Sequence, residues 1–187
     1  MWAPHLIAML GLTLAAGTLG AATMSLDVPP GPRDPGNPFD VTVNATNLFD
    51  GRDPLDLLLG FGFNVSLGNP AAIQFVDATV GSGFQQVASV PGADVVAFAF
   101  PGIGPGSAEP LELAVLHFRP VAPGSSSIAI TSDLTDPNQG LVFLTAPTDA
   151  LAAEGEVQIV LEPGGWSLLA IGVAGIAGVA RRKKLAT

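Results

Sequence analysis

The 187-residue sequence contains no cysteine and no tyrosine. Without cysteine there are no disulfide staples and no thiol nucleophile, so the fold must stand on packing alone. The two tryptophans, Trp2 and Trp166, fall near the two ends, and the middle offers phenylalanine as its only aromatic. Sugar-binding platforms that stack rings on tryptophan or tyrosine are therefore disfavoured, which leaves glycan recognition by hydrogen bonds alone. Positive charge is scarce as well. Between Thr23 and Leu161 three arginines, Arg33, Arg52 and Arg119, stand against 15 acidic residues, a net of −12. Such a surface repels phosphate backbones and excludes nucleic acid as a partner. A convincing amphipathic helix is also missing, while 23 glycines and 17 prolines supply turns.

What the middle does contain is strand periodicity. Phe39, Val41, Val43 and Ala45 alternate with Asp40, Thr42, Asn44 and Thr46, a period of two that turns one face inward. Leu57, Leu59, Phe61, Phe63, Val65 and Leu67 repeat the pattern, interleaved with Gly60, Gly62, Asn64 and Ser66. The two glycines leave that side low, so another segment is expected to pack close to the backbone. Further strands are expected over 73–80, 95–100, 111–118, 126–131, 141–144 and 157–161, with an edge strand over 25–28. Turn residues separate them, as at Asp50-Gly51-Arg52-Asp53-Pro54, Gly68-Asn69-Pro70 and Asp136-Pro137-Asn138. At most a single helical turn is expected over 149–154. About nine short strands make an all-β, antiparallel sandwich over residues 23–161.

The two ends read as targeting segments. Residues 1–22 carry an apolar stretch, Leu6 to Leu19, followed by Gly20-Ala21-Ala22, which fits a secretory signal helix cleaved after Ala22 by signal peptidase. The start has only His5 and the amino terminus as positive groups, so an uncleaved N-terminal anchor is the alternative. Residues 162–187 open with Glu162-Pro163-Gly164-Gly165, which ends the preceding strand. An uncharged run from Trp166 to Ala180 follows, closed by Arg181-Arg182-Lys183-Lys184. An apolar helix stopped by cations reads as a membrane segment with the basic cluster on the cytoplasmic side. At about 1.5 Å per residue it spans roughly 22 Å, short of a hydrocarbon core about 30 Å thick. That shortfall suits a segment that stalls translocation and is then removed.

This order of breaker, aromatic, short apolar helix and basic terminus resembles the PEP-CTERM sorting signal of exported bacterial proteins. Glu162 and Pro163 match the last two positions of the family's Pro-Glu-Pro, and Trp166, Arg181, Arg182, Lys183 and Lys184 match the rest. Leu161 stands where the first proline is usual, and Gly164-Gly165 is also similar to signals read by rhomboid-type proteases. The resemblance implies processing near Glu162-Pro163 by an exosortase-like enzyme, with a plain C-terminal anchor as the alternative. It also implies display or release at the cell surface and association with exopolysaccharide or biofilm matrix.

The middle, roughly 25–161, resembles a cohesin-type domain, a nine-stranded jelly-roll sandwich related to some carbohydrate-binding modules. The resemblance rests on Leu59-Gly60-Phe61-Gly62-Phe63-Asn64-Val65, Asn69-Pro70 and Ile73-Gln74-Phe75-Val76-Asp77-Ala78. Leu113-Ala114-Val115-Leu116-His117-Phe118, running on to Ala122-Pro123-Gly124-Ser125-Ser126-Ser127-Ile128, reinforces it. Gly68-Asn69-Pro70 departs from the family's tyrosine-aspartate-proline, and no residue set identifies a dockerin surface.

Chemistry-bearing residues are few. His117 is the one histidine beyond the N-terminal segment, on the strand side that alternation shares with Leu113 and Val115. A surface histidine is the expected role, and a Gly-x-Ser-x-Gly nucleophile elbow is missing. Asp50, Asp53 and Asp56, with Arg52 between them, are spaced irregularly for a calcium loop and are expected to form a solvated turn. Glu109 and Glu112 flank Pro110 with nothing to place them across a cleft. The sequence thus predicts an exported, non-enzymatic surface or extracellular protein with no catalytic residue, cofactor or metal. The alternative is a cohesin-like module, held in the inner membrane by its C-terminal helix, that binds a protein or polysaccharide. A hydrolase is the third class.

Overall fold

A computed structural model describes residues 22–88 and 90–160 of the chain. The segments carrying residues 1–21 and the sorting residues Glu162, Pro163, Trp166, Arg181, Arg182, Lys183 and Lys184 lie outside the described residues. Ala22 lies inside them, half-buried against the core and immediately before the first strand.

Ten strands follow in order: β1 (Thr23–Asp27), β2 (Phe39–Thr46), β3 (Leu58–Leu67), β4 (Ile73–Val80), β5 (Gln85–Gln86), β6 (Val95–Ile103), β7 (Leu111–Pro120), β8 (Gly124–Thr131), β9 (Gly140–Phe143) and β10 (Ala152–Ile159). They make two antiparallel sheets. One has the order β1-β2-β7-β4, the other β10-β8-β3-β6-β5. In the second sheet β9 shares an edge of β3 with β8: β9 covers Leu58 to Gly62 and β8 covers Asn64 to Leu67. No helix occurs among the described residues, and none there is long and apolar enough to cross a membrane.

The alternation read from the sequence sets which residues meet between the sheets. Val41, Val43 and Ala45 of β2 and Leu116 and Phe118 of β7 bury their side chains against Phe61 and Phe63 of β3 and Ile128 and Ile130 of β8 in one core. Phe118 anchors it, with its ring centroid 5.4 Å from Phe39 and 5.6 Å from Phe75. Offset and tilted ring pairs of this kind add to what area burial alone supplies.

Four departures from simple alternation shape the outer faces. On β3 the register slips between Leu58 and Gly60, so Leu58 is buried in the core with Phe61 and Phe63, and Leu57 and Leu59, expected on that side, are only half-buried. On β7 the register slips beside Val43 of β2, and both Leu113 and Ala114 point inward. His117 therefore shares its face with Val115 and Arg119, and not with Leu113 as strict alternation predicts. On β4 a third slip leaves Val76 without a partner on β7 and more than half exposed, the local bend expected of a bulge on an edge strand. The segment expected to hold a helical turn instead bridges to β9 at Asp149 and enters β10 at Ala152. Its inward positions are small, Ala153 and Gly155, because β1 crosses there and a Cβ on Gly155 would stand 2.6 Å from Val28 Cγ2. With β5 added, the expected nine strands become ten.

The glycine face of β3 is covered as expected. The carbonyl of Asn138, in the loop between β8 and β9, lies over Gly62 with no room for a Cβ. Gln139 holds that loop down, donating from Nε2 to the Gly92 carbonyl at 2.7 Å and accepting from the Asp133 amide at 2.8 Å.

Candidate functional site

The acidic turn does not form the cluster that its spacing allowed. Asp53 accepts from the Leu55 amide at 2.8 Å. Asp56 is buried, with 1% of its side chain exposed, and accepts from the amides of Thr145 at 2.8 Å and Leu57 at 3.1 Å. A solvated turn is therefore wrong for Asp56. Arg52 lies between Asp56, 3.9 Å away, and Asp149, with which it forms a close ion pair. It donates from Nε to the Leu48 carbonyl at 2.8 Å and stacks its guanidinium 3.7 Å above the Phe143 ring. Burial pushes the Asp56 carboxyl up, but the Thr145 amide and hydroxyl, the Leu57 amide and the Arg52 charge more than reverse this. Its pKa ends below the ordinary aspartate value. Arg52 is thus a staple tying the β2–β3 loop to the segment after β9. Among the described residues, no group of three or more histidine, aspartate or glutamate side chains is arranged to hold a metal ion.

Glu109 and Glu112 line different hollows. Glu109 lies with Asp50 beside Leu48 and Pro105, and Glu112 lies with Ser82 and Ile103.

His117 is placed in more company than the sequence suggested. It sits on the outer face of the four-stranded sheet with a third of its side chain exposed. Nδ1 lies 2.7 Å from Asp40 Oδ1 on β2, and Nε2 lies 3.0 Å from Thr79 Oγ1 on β4. A carboxylate can only accept, so Nδ1 carries the proton, and in the neutral ring Nε2 accepts from the Thr79 hydroxyl. The order carboxylate, imidazole, hydroxyl is that of a nucleophile relay, but the surroundings are not. β7 pairs with β2 on one edge and β4 on the other, so its amides are committed to ladders and not to polarising a carbonyl. The hollow beside His117 is lined on its other side by Arg119 and does not include Thr79. The three residues fix the rotamer and tautomer of a surface histidine.

The feature that sequence reasoning missed lies on the other sheet. Phe98 and Phe100 of β6 point outward, 43% and 87% exposed, while Ala97 and Ala99 face the core. Gly60 of β3 pairs with Phe98 on one side and Val142 of β9 on the other, so one row across three strands reads Val142, Gly60, Phe98. One step toward the β2–β3 loop, exposed Leu144 donates its amide to the Leu57 carbonyl, and Leu57 and Leu59 lie against Gly102. The result is an apolar patch with a glycine floor. The Asn138 loop bounds it on one side, and the rest of that face is mostly polar: Ser125, Ser127 and Thr131 with Ala129 on β8, Glu154 and Glu156 with Ala152 on β10. A signal for it was present, since Val95 to Phe100 is apolar on both alternating sets and only the smaller set fits between the sheets.

No protein-family model and no curated protein sequence matches the chain. Solved structures do. A cohesin module from the family 33 glycoside hydrolase of Clostridium perfringens ATCC13124 aligns at a TM-score of 0.50 and 14% identity, covering 78% of this chain and 99% of that one. The sandwich is cohesin-like. Two modules from Acetivibrio cellulolyticus align less closely. A type II cohesin domain from the cellulosome has a TM-score of 0.45, 16% identity and coverage of 75% and 92%. The third cohesin of ScaC, solved in complex with the ScaB dockerin, has 0.40, 13% and coverage of 74% and 99%. At these identities the likeness concerns the fold, which the cohesin-like sandwich of this chain shares while carrying its own surface residues.

Proposed function

We propose that the protein is an exported, non-enzymatic binding module whose cohesin-like sandwich docks a protein partner through the apolar patch on its six-stranded sheet. The single observation that carries this reading is the exposure of Phe98 and Phe100, flanked by Val142 and Leu144, beside strands β8 and β10 whose outward side chains are mostly hydroxyls and carboxylates. Contiguous apolar surface in a polar setting marks interaction sites, and large aromatic anchors dominate the energetics of docking. The test is binding by partners recovered from the same cells: Phe98→Ala with Phe100→Ala abolishes it while the thermal midpoint stays put. Full binding by the double variant rejects the reading.

The resemblance of residues 162–187 to a PEP-CTERM signal supports delivery by export. On this reading the segment from Trp166 to Ala180 stalls translocation and Arg181 to Lys184 fix its topology. Processing near Glu162 and Pro163 then frees or transfers the sandwich to the cell surface and its exopolysaccharide. Mass spectrometry of the protein recovered from cells tests this separately. A mature C-terminus near Glu162 supports sorting, whereas an intact basic tail in the membrane fraction makes the segment an anchor.

A further inference from the structure

The charge of the chain is sorted by sheet. Each strand of the four-stranded sheet holds one exposed acidic residue, Asp27 on β1, Asp40 on β2, Asp77 on β4 and Glu112 on β7. On the six-stranded sheet β3, β5, β6, β8 and β9 hold no charged residue at all. Only the flanking β10 does, with Glu154 and Glu156. In the bordering loops Asp94, Asp133 and Asp136 accept from the amides of Val65, Thr135 and Asn138, and Asp149 pairs with Arg52.

That distribution selects a partner. Between Thr23 and Leu161 the net charge is −12, so two copies repel each other wherever their carboxylates approach. Among the described strands, the uncharged ones form the face where copies meet without that cost. A basic partner, which an acidic surface would attract, finds its counter-charges on the opposite sheet instead. The relief of the uncharged face is also self-complementary. One row crosses four strands as Val142, Gly60, Phe98 and Gln85, with no side chain at Gly60 and a projecting ring beside it.

We infer that the partner docked at this face is a second copy of the chain, joined in an isologous pair; the inference rests on the reading of the Phe98 patch as a docking surface. A twofold axis parallel to the strands and midway between β3 and β6 turns the row onto itself. Phe98 of each copy then lies over the partner's Gly60, and Val142 over the partner's Gln85. Phe100, two residues on, reaches the partner's Leu59. The same rotation carries β10 past the partner's β5, so Glu154 and Glu156 fall on a solvated rim. With about 4.8 Å between strands and about 3.3 Å per residue, the uncharged strands cover roughly 19 by 33 Å. That is about 600 Å² in projection, more once side-chain relief is counted, against about 800 Å² per partner in a stable interface.

Sedimentation equilibrium of the protein recovered from cells tests the pairing. A monomer–dimer equilibrium is expected, weakened about tenfold or more by Phe98→Ala with Phe100→Ala. Gln85→Glu, at a position exposed in the monomer, brings a carboxylate into the face and weakens the pair about threefold or more. Raising NaCl from about 0.05 to about 0.5 M screens the two acidic bodies and tightens the pair. With p-benzoylphenylalanine at position 98, light joins that residue to residues 57–62 or 142–144 of a second copy. A dimer indifferent to both sets of substitutions, or one loosened by salt, overturns the inference. A monomer at all concentrations that still captures a different protein through Phe98 and Phe100 overturns it and leaves the docking surface standing. A monomer without such capture removes the docking surface as well.

Discussion

The two outer faces of the sandwich obey the same period-two rule and end with opposite chemistry. On the four-stranded sheet alternation sends Thr42, Asn44, Thr79 and Arg119 outward and keeps the large apolar residues inside. On β6 the rule is inverted in size: alanines go in and phenylalanines come out. The space between the sheets explains the inversion. Phe61, Phe63 and Phe84 already fill the core next to β6, with Phe61 and Phe84 packed edge to face at 4.9 Å, so the inward set is the smaller one, Val95, Ala97 and Ala99. Where the interior is full, the surplus apolar bulk has a surface role, and that surface is the proposed docking face. Where the interior takes the bulk, the exterior is left to polar groups.

The largest effect comes from the interior that both faces share. Phe118→Ala removes the ring between Phe39 and Phe75 and is expected to cost about 3–5 kcal/mol in a denaturant titration. Both faces are lost together. A variant that keeps one face would show that the sheets hold their shape independently.

Next comes the Arg52 staple, which supports only the six-stranded face. Arg52→Ala leaves Asp56 buried beside a vacancy and frees the segment that carries Leu144, with an expected loss of about 2 kcal/mol. Docking at the Phe98 patch weakens and the hollow at Arg119 is unchanged. The same staple sets an acid limit. The folded pKa of Asp56 lies below its unfolded value, so its contribution is fully present above about pH 4 and fades as the pH falls through the folded value. Asp56→Asn removes that part of the acid dependence, which a series of denaturant titrations between pH 2 and 6 measures.

Smaller in stability but decisive for the contrast are the two phenylalanines. Phe98→Ala with Phe100→Ala is expected to change stability by less than about 1 kcal/mol and to weaken partner binding by more than tenfold. The smallest effect belongs to His117→Ala on the other face. It is expected within about 0.5 kcal/mol of wild type, with no loss of partner binding and no turnover of ester substrates to lose.

The period-two runs at Phe39 to Thr46 and Phe61 to Leu67 made the sandwich legible from the sequence, and Gly60 and Gly62 foretold a close backbone neighbour. Alternation misplaces the start of the second run, since a register slip buries Leu58 where Leu57 and Leu59 are expected to face inward. What alternation does not carry is pairing. Nothing local says that Gly60 lies between Val142 and Phe98, so a patch built from three strands stays hidden, although the doubly apolar run from Val95 to Phe100 hints at it. Bulges are equally silent: the slip at Leu113 and Ala114 moved a neighbour of His117 to the core. At β10 the alternation was present but written in alanine and glycine, because β1 crosses there, and small residues read as helix. Asp56 looked solvated because the contact that buries it, the Thr145 amide, arrives from far along the chain, while Arg52 and the Leu57 amide are local. The relay of Asp40, His117 and Thr79 draws on three strands and has no linear motif at all.

Photo-crosslinking in the producing cell addresses the contrast between the faces most directly, with p-benzoylphenylalanine placed at position 100 in one variant and at position 115 in another. A discrete protein adduct from position 100, absent from position 115 and lost when Phe98 is replaced by alanine, is the predicted result. Equal adducts from both positions, or an adduct from position 115 alone, would contradict the assignment of the six-stranded face as the docking surface.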